Sequence, residues 1–266
     1  MELTEKNYFS KEADTEYCSV SQLKKFISCE AKALAVLKGE YDEVIPPSTQ
    51  KAFLLGSYVD CMLLEPEKKA QFEAEHPELF KKGGELYADY VNAPQMVEVA
   101  KNDKEFMKAL EGEHQKIYVG EIFGVPFKIK VDAINENRIT DLKTTASITA
   151  TEWYAPTGQR ENFVVRYDYV LQGAIYQEVV YQNTGKRLPF FLAVLSKESI
   201  TDKALIYIDD DSLAERLQWA MPYIINTGML KSGDAEPTKC GHCDFCTKTK
   251  VITEAIHYKD IGKEEH

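Results

Sequence analysis

No apolar run in this sequence approaches the ~20 residues that cross a bilayer. The first residues carry Glu2 and Glu5 where a secretory signal would have an apolar block. Neither insertion nor export is expected, and the chain reads as cytoplasmic. Cysteine is scarce: six in 266 residues, three of them crowded near the C-terminus, are too few for a disulfide scaffold. In a reducing compartment such thiols are free to bind metal. With 14 Gly, 10 Pro and no internal repeat, the chain is neither collagen-like nor of low complexity. Basic charge is also short, with 32 Lys and Arg against 43 Asp and Glu and a net charge of -11. That balance disfavours wrapping DNA over an extended surface. It still permits a confined site where a few Lys and Arg meet phosphate beside a metal. What is present, 44% hydrophobic and 28% charged residues, is the composition of an ordinary globular protein.

Helical spacing dominates the first half. Leu23, Phe26, Ile27, Ala31, Leu34 and Leu37 follow Ser19 and Ser21 and stop at Gly39, which predicts one amphipathic helix. Pro46-Pro47-Ser48 opens a second helix, stopped near Pro66, and a third region covers roughly 94–110. After Gly112 the period changes to that of strands, at 117–121 and 125–134, with Phe127, Ile129 and Val131 on one face and Lys128, Lys130 and Asp132 on the other. A polar turn leads to a strand at 139–144. A helix at 166–182 carries Leu171, Ile175 and Val179 on its core face, and strands at 190–195 and 204–208 precede a last helix at 209–230. The expected class is α/β (α+β) in a single domain. It has a helical part at about 17–112, a core at about 113–231 and a cysteine-rich tail at 232–266.

The chemistry concentrates in the hairpin. If Glu136-Asn137 form the centre of a tight turn, Asp132 lies directly opposite Asp141, and like charges so placed destabilise the pair. Lys143 shares the face of Asp141, while Leu142 points to the core. Two carboxylates forced together beside an ammonium suit a hard divalent cation, Mg²⁺ or Mn²⁺. Such an ion lowers the pKa of bound water, and Lys143 would position or help deprotonate that water. The bland alternative is a charged edge strand. Against it stand Gly56-x-x-x-Asp60 on the second helix, and Gln172-x-x-x-Tyr176 with Tyr169 on one flank of a later helix.

Taken together, Gly56…Asp60, Asp132…Asp141-Leu142-Lys143 and Gln172…Tyr176 resemble the PD-(D/E)XK nuclease superfamily, and within it the RecE-like phage and prophage exonucleases. The resemblance runs from about Tyr17 to the C-terminal cysteines. It implies a restriction-endonuclease-like core, a central mixed sheet flanked by helices, and hydrolysis of duplex DNA from an end, 5′–3′. Asp132 and Asp141 would be metal ligands and Lys143 the catalytic lysine, while Gln172 and Tyr176 would contact DNA or order the site. Asp60 stands where many relatives carry histidine, and as a carboxylate it still suits Mg²⁺ or Mn²⁺. Lys128 and Lys130 are expected to hold phosphates. The implied partners are DNA ends, a single-strand annealing (RecT-like) protein and a homo-oligomeric ring. An endonuclease of the same superfamily and a non-catalytic DNA-binding scaffold are the alternatives.

Cys240-Gly-His-Cys243-Asp-Phe-Cys246 offers three thiols at a spacing that can share one centre, with Cys29 as a fourth. The CRISPR-associated adaptation nucleases and the AddB-type repair subunits bind a 4Fe–4S cluster through one N-terminal and three C-terminal cysteines. The resemblance therefore implies that cluster, although the gap between Cys243 and Cys246 is shorter than is usual there. Zinc, with or without His242, and plain reduced thiols remain open. Cys18 and Cys61 read as buried bystanders.

Overall fold

A computed structural model describes residues 1–253, 255 and 257–260, and several of its helices begin where short polar side chains take up free amides. The end of the expected cysteine-rich tail, 261–266, lies outside the described residues. Ser10 accepts the Ala13 amide to open α1 (Lys11–Glu16), and Ser19 accepts that of Gln22 to open α2 (Val20–Ser28). The single helix expected up to Gly39 is in fact two. Cys29 adopts φ −163° and ψ 106°, and α3 (Glu30–Lys38) starts afresh before ending on Gly39 at φ +77°. The reason is tertiary: the Ala31 amide, which a continuous helix would bond internally, goes to the Thr238 carbonyl of the C-terminal segment at 3.0 Å. Helix α4 (Pro47–Leu64) starts and stops as its prolines predict, and a short α5 (Lys69–Glu75) follows. The region at 94–110 also divides, into α6 (Ala93–Lys101) and α7 (Lys104–Ala109). Asp103 interrupts it to cap the Glu105 and Phe106 amides.

Strands β1 (Glu113–Ile122), β2 (Val125–Ile134) and β3 (Ile139–Thr145) form the meander. A small hairpin, β4 (Glu152–Tyr154) with β5 (Gln159–Glu161), was not foreseen. Next come α8 (Phe163–Arg166), which was not foreseen, and α9 (Tyr169–Thr184), expected to start at 166 but held back by Asp168 at φ +51°. Then β6 (Phe190–Ser196), β7 (Lys203–Ile208), α10 (Asp210–Ser232) and α11 (Asp244–Lys248) complete the chain. The sheet order is β1-β2-β3-β6-β7; β3 and β6 run parallel across the α9 crossover, and the other neighbours are antiparallel. This is the mixed sheet flanked by helices that was expected.

Both faces of that sheet are covered. Phe127, Ile129 and Val131 of β2 and Phe190, Leu192 and Val194 of β6 pack against Leu171, Ile175 and Val179 of α9, with Leu213 and Ile224 of α10 closing the layer. On the opposite face Leu142, Ala193 and Leu195 meet Leu55, Val59 and Met62 of α4 and Met96 of α6. Gly173 lets α9 come this close, because a Cβ there would sit 2.6 Å from the Phe190 ring.

One departure from regular pairing matters most. The ladder between β2 and β3 holds only Ala133 to Thr140 and Ile134 to Ile139, then the strands part. The freed edge of β2 is bonded instead by the N-terminal segment: the Cys18 amide donates to the Pro126 carbonyl and the Lys128 amide to the Cys18 carbonyl. A fork opens between β2 and β3.

Candidate active site at the strand fork

The turn at the base of the fork is the one the sequence implied. Asn135 Oδ1 accepts the amides of Asn137 and Arg138, and the paired residues put Asp132 level with Asp141. Because the ladder has stopped, the Leu142 amide lacks a strand partner, and Asp132 Oδ2 accepts it at 2.9 Å. Gln115, level with Asp132 on β1 and at φ +52°, donates to Asp132 Oδ1 at 3.2 Å. Asp132 is thus held by the fork itself.

Asp141 is buried, at 2% exposure. Its Oδ1 accepts a hydrogen bond from Gln172 Nε2 at 2.6 Å. Its Oδ2 is ion-paired with the Lys143 ammonium at 2.5 Å. Lys143 in turn sits 5.1 Å from the centre of the Tyr169 ring. Tyr176 donates to the Lys130 carbonyl at 3.1 Å, tying α9 to β2. Asp60, one turn beyond Gly56 on α4, lines the same cleft of about 930 Å³ as Asp132, Asp141, Lys143, Gln172 and Tyr176. Residues from α4, β2, β3 and α9, scattered over more than a hundred positions, converge here.

The electrostatics follow from crowding. Burial, then repulsion from Asp141, pushes the Asp132 carboxyl up to about 7. Burial and repulsion from Asp132 raise Asp60 well above the carboxylate range. Burial alone would lower Lys143, but attraction to Asp141 and Asp132 outweighs it and holds the ammonium above its ordinary range. Burial pushes the Tyr169 hydroxyl up to about 12, so it stays protonated. The site carries excess negative charge that a cation would relieve.

One expected phosphate contact is corrected. Lys128 is buried at 1% exposure, and its ammonium is engaged by Asp14 Oδ1 at 2.7 Å and by the Tyr8 carbonyl. It ties the N-terminal segment to β2 and is not free for DNA. Strand alternation put it on the polar face, and nothing local showed that Asp14, more than a hundred residues away, would cover it. Lys130 remains half-buried in the cleft, beneath Phe9 at 5.5 Å. A lysine the sequence reading passed over, Lys24, also enters the cleft, with its ammonium 2.7 Å from the Tyr167 carbonyl and 5.6 Å from the Tyr169 ring centre. Burial lowers it to about 8. On α2 it looks like any solvated lysine of an amphipathic helix.

The second constellation also forms. Cys29, Cys240, Cys243 and Cys246 place their Sγ atoms within 4.8 Å of one another, and His242 is exposed and outside the set. Cys18 and Cys61 are buried elsewhere, as expected.

Comparison with known proteins agrees with this geometry. No curated protein matches the chain. A crystal structure from Eubacterium rectale, described as a "putative exonuclease", is 36% identical, with a TM-score of 0.88 over 99% of both chains. A family model described as a PDDEXK-like domain of unknown function (DUF3799) matches residues 19–249 and so takes in the fork, α9 and all four clustered cysteines. The chain belongs to this PDDEXK-like family.

Proposed function

We propose that the protein is a divalent-metal-dependent nuclease that hydrolyses the phosphodiester bonds of duplex DNA from its ends, an exodeoxyribonuclease of 5′–3′ polarity serving phage-type recombination. The observation that carries this reading is the meeting of Asp132, Asp141 and Lys143 at the fork, with Gln172 fixing the buried Asp141. Exonuclease activity is favoured over endonuclease activity by the full-length likeness to the Eubacterium rectale protein. In such a role the strand left behind passes to a single-strand annealing protein.

The donor set fits a hard cation. Asp60, Asp132 and Asp141 offer only oxygen, and the buried Asp141 Oδ2 has the Lys143 ammonium beside it. These three would hold Mg²⁺ or Mn²⁺. When bound, the ion supplies a Lewis acid that lowers the pKa of water and offsets phosphoryl charge. The rest falls to the chain. Lys143, kept as an ammonium by its two carboxylates, donates to a phosphoryl oxygen or orients the attacking water and does not serve as the base. Gln172 prevents Asp141 from rotating away, and the Tyr169 ring supports Lys143. Lys11, Lys24 and Lys130 line the same cleft and supply cations for a phosphate backbone, whereas Lys25 and Lys68 there are paired with Glu43 and with Glu5 and Glu65.

Linear duplex and covalently closed circles, each incubated with Mg²⁺ or Mn²⁺, test the reading. Linear DNA should be degraded to acid-soluble nucleotides while circles stay closed. Opened circles would make the enzyme an endonuclease, and inert DNA in both forms would leave a binding scaffold.

A further inference from the structure

The four cysteines stand apart from the fork. Cys29 and Cys246 are buried, with their sulfurs 3.6 Å apart, and the Cys240 and Cys246 sulfurs are 3.9 Å apart. All four sulfurs lie within 4.8 Å of one another, and none is in a disulfide. Four thiolates around one zinc ion, at Zn–S of about 2.3 Å, have tetrahedral edges of roughly 3.8 Å. A 4Fe–4S cubane instead seats each thiolate on its own iron atom, and its sulfurs must therefore stand wider apart than around a single ion. The iron–sulfur cluster implied by the sequence resemblance does not fit this spacing.

We infer that Cys29, Cys240, Cys243 and Cys246 hold a single tetrahedral zinc ion that clasps the junction of α2 and α3 to the C-terminal segment. The surrounding chain is built for such a clasp. Cys29 lies in the break between α2 and α3, with extended backbone angles that turn it out of both helices. Gly241, at φ +82°, makes the tight turn from Cys240 towards Cys243, and Cys243 Sγ accepts the Cys246 amide at 3.4 Å. Around the sulfurs, Glu30 accepts the Thr238 amide at 2.8 Å, and Lys32 pairs with Asp244 at 2.8 Å. Ala31 and Phe245 shield them. With four protein ligands the coordination is closed, which marks a structural ion with no position for substrate. Its effect on the cleft is indirect: α2, anchored at Cys29, carries Lys24 into it.

Elemental analysis of the full-length protein, purified anaerobically without chelator, tests this apart from any assay on DNA. The expected result is a colourless protein with one zinc and no iron per chain. Cys61→Ser should keep its zinc, because that thiol is outside the set. Cys243→Ser should lose it and melt about 10 °C or more lower. Should that variant fail to fold, stripping the wild-type protein and refilling it with Co²⁺ gives a second readout, the intense thiolate-to-cobalt absorption of a tetrahedral four-sulfur site. A brown protein with about four iron atoms per chain would overturn the inference. So would a colourless one holding neither metal.

Discussion

The two oxygens of Asp141 have different partners, Gln172 on one and the Lys143 ammonium on the other, and that asymmetry separates the roles of its neighbours. Asp141→Asn should lower hydrolysis by roughly 10³-fold or more, since it removes a ligand charge, while the fold survives. Activity within tenfold of wild type would show that this carboxylate is not in the site. Gln172→Ala should act through Asp141, raising the Mg²⁺ concentration needed for half-maximal activity by about 10–100-fold. If saturating Mg²⁺ leaves the variant as slow as the Asp141→Asn protein, Gln172 does more than orient. Lys143→Ala should keep metal binding, measured by calorimetry, and lose turnover. Asp132, Asp141 and Lys143 were legible because an antiparallel turn fixes who faces whom. Helix periodicity placed Gln172 only on a flank and the resemblance gave it a site-ordering role, but its bond to Asp141 depends on how close Gly173 lets α9 approach.

Elements were readable where one period ran cleanly, and misread where a partner from far away cut in. Leu171, Ile175 and Val179 named the buried face of α9 correctly. The break at Cys29 was invisible, because apolar spacing continues through it while the Thr238 carbonyl takes the next helix's amide. Lys128 is the same lesson on a strand: alternation sets the face but not what covers it. Here the cover is α1, through Asp14. Two substitutions separate structure from DNA contact. Asp14→Ala leaves the buried Lys128 ammonium short of its carboxylate and should destabilise the protein by about 3 kcal/mol, at the low end for a broken buried pair because Asp14 is itself half in solvent. Lys128→Met should fold and bind DNA like wild type, whereas Lys130→Ala should weaken binding and reduce its salt dependence. Equal losses of affinity in Lys128→Met and Lys130→Ala would return Lys128 to the DNA contacts.

For the whole molecule, the carboxyls crowded at the fork make stability depend on pH and metal together. The Asp132 carboxyl, raised from about 4 in the unfolded chain to about 7 in the fold, keeps its proton over a range where the unfolded chain has lost it. Metal-free protein should therefore lose stability as pH climbs from about 4 to about 7. Asp60 acts in the same direction. Thermal melts in chelator at pH 5 and pH 7.5 check the sign, and Asp132→Asn should flatten the slope. Millimolar Mg²⁺ should raise the melting temperature most at the higher pH, where the Asp132 carboxyl has released its proton. A metal-free protein that is more stable at pH 7.5 than at pH 5 would contradict the arrangement at the fork. By itself the sequence determined the main succession of helices and strands and the Asp132–Asp141–Lys143 register, because period and turn geometry act over a few residues. The tertiary structure alone decided where β2 leaves β3, which lysines reach the cleft and how tightly four distant thiols close. Each of these depends on segments a hundred or more residues apart competing for the same amides, charges and space.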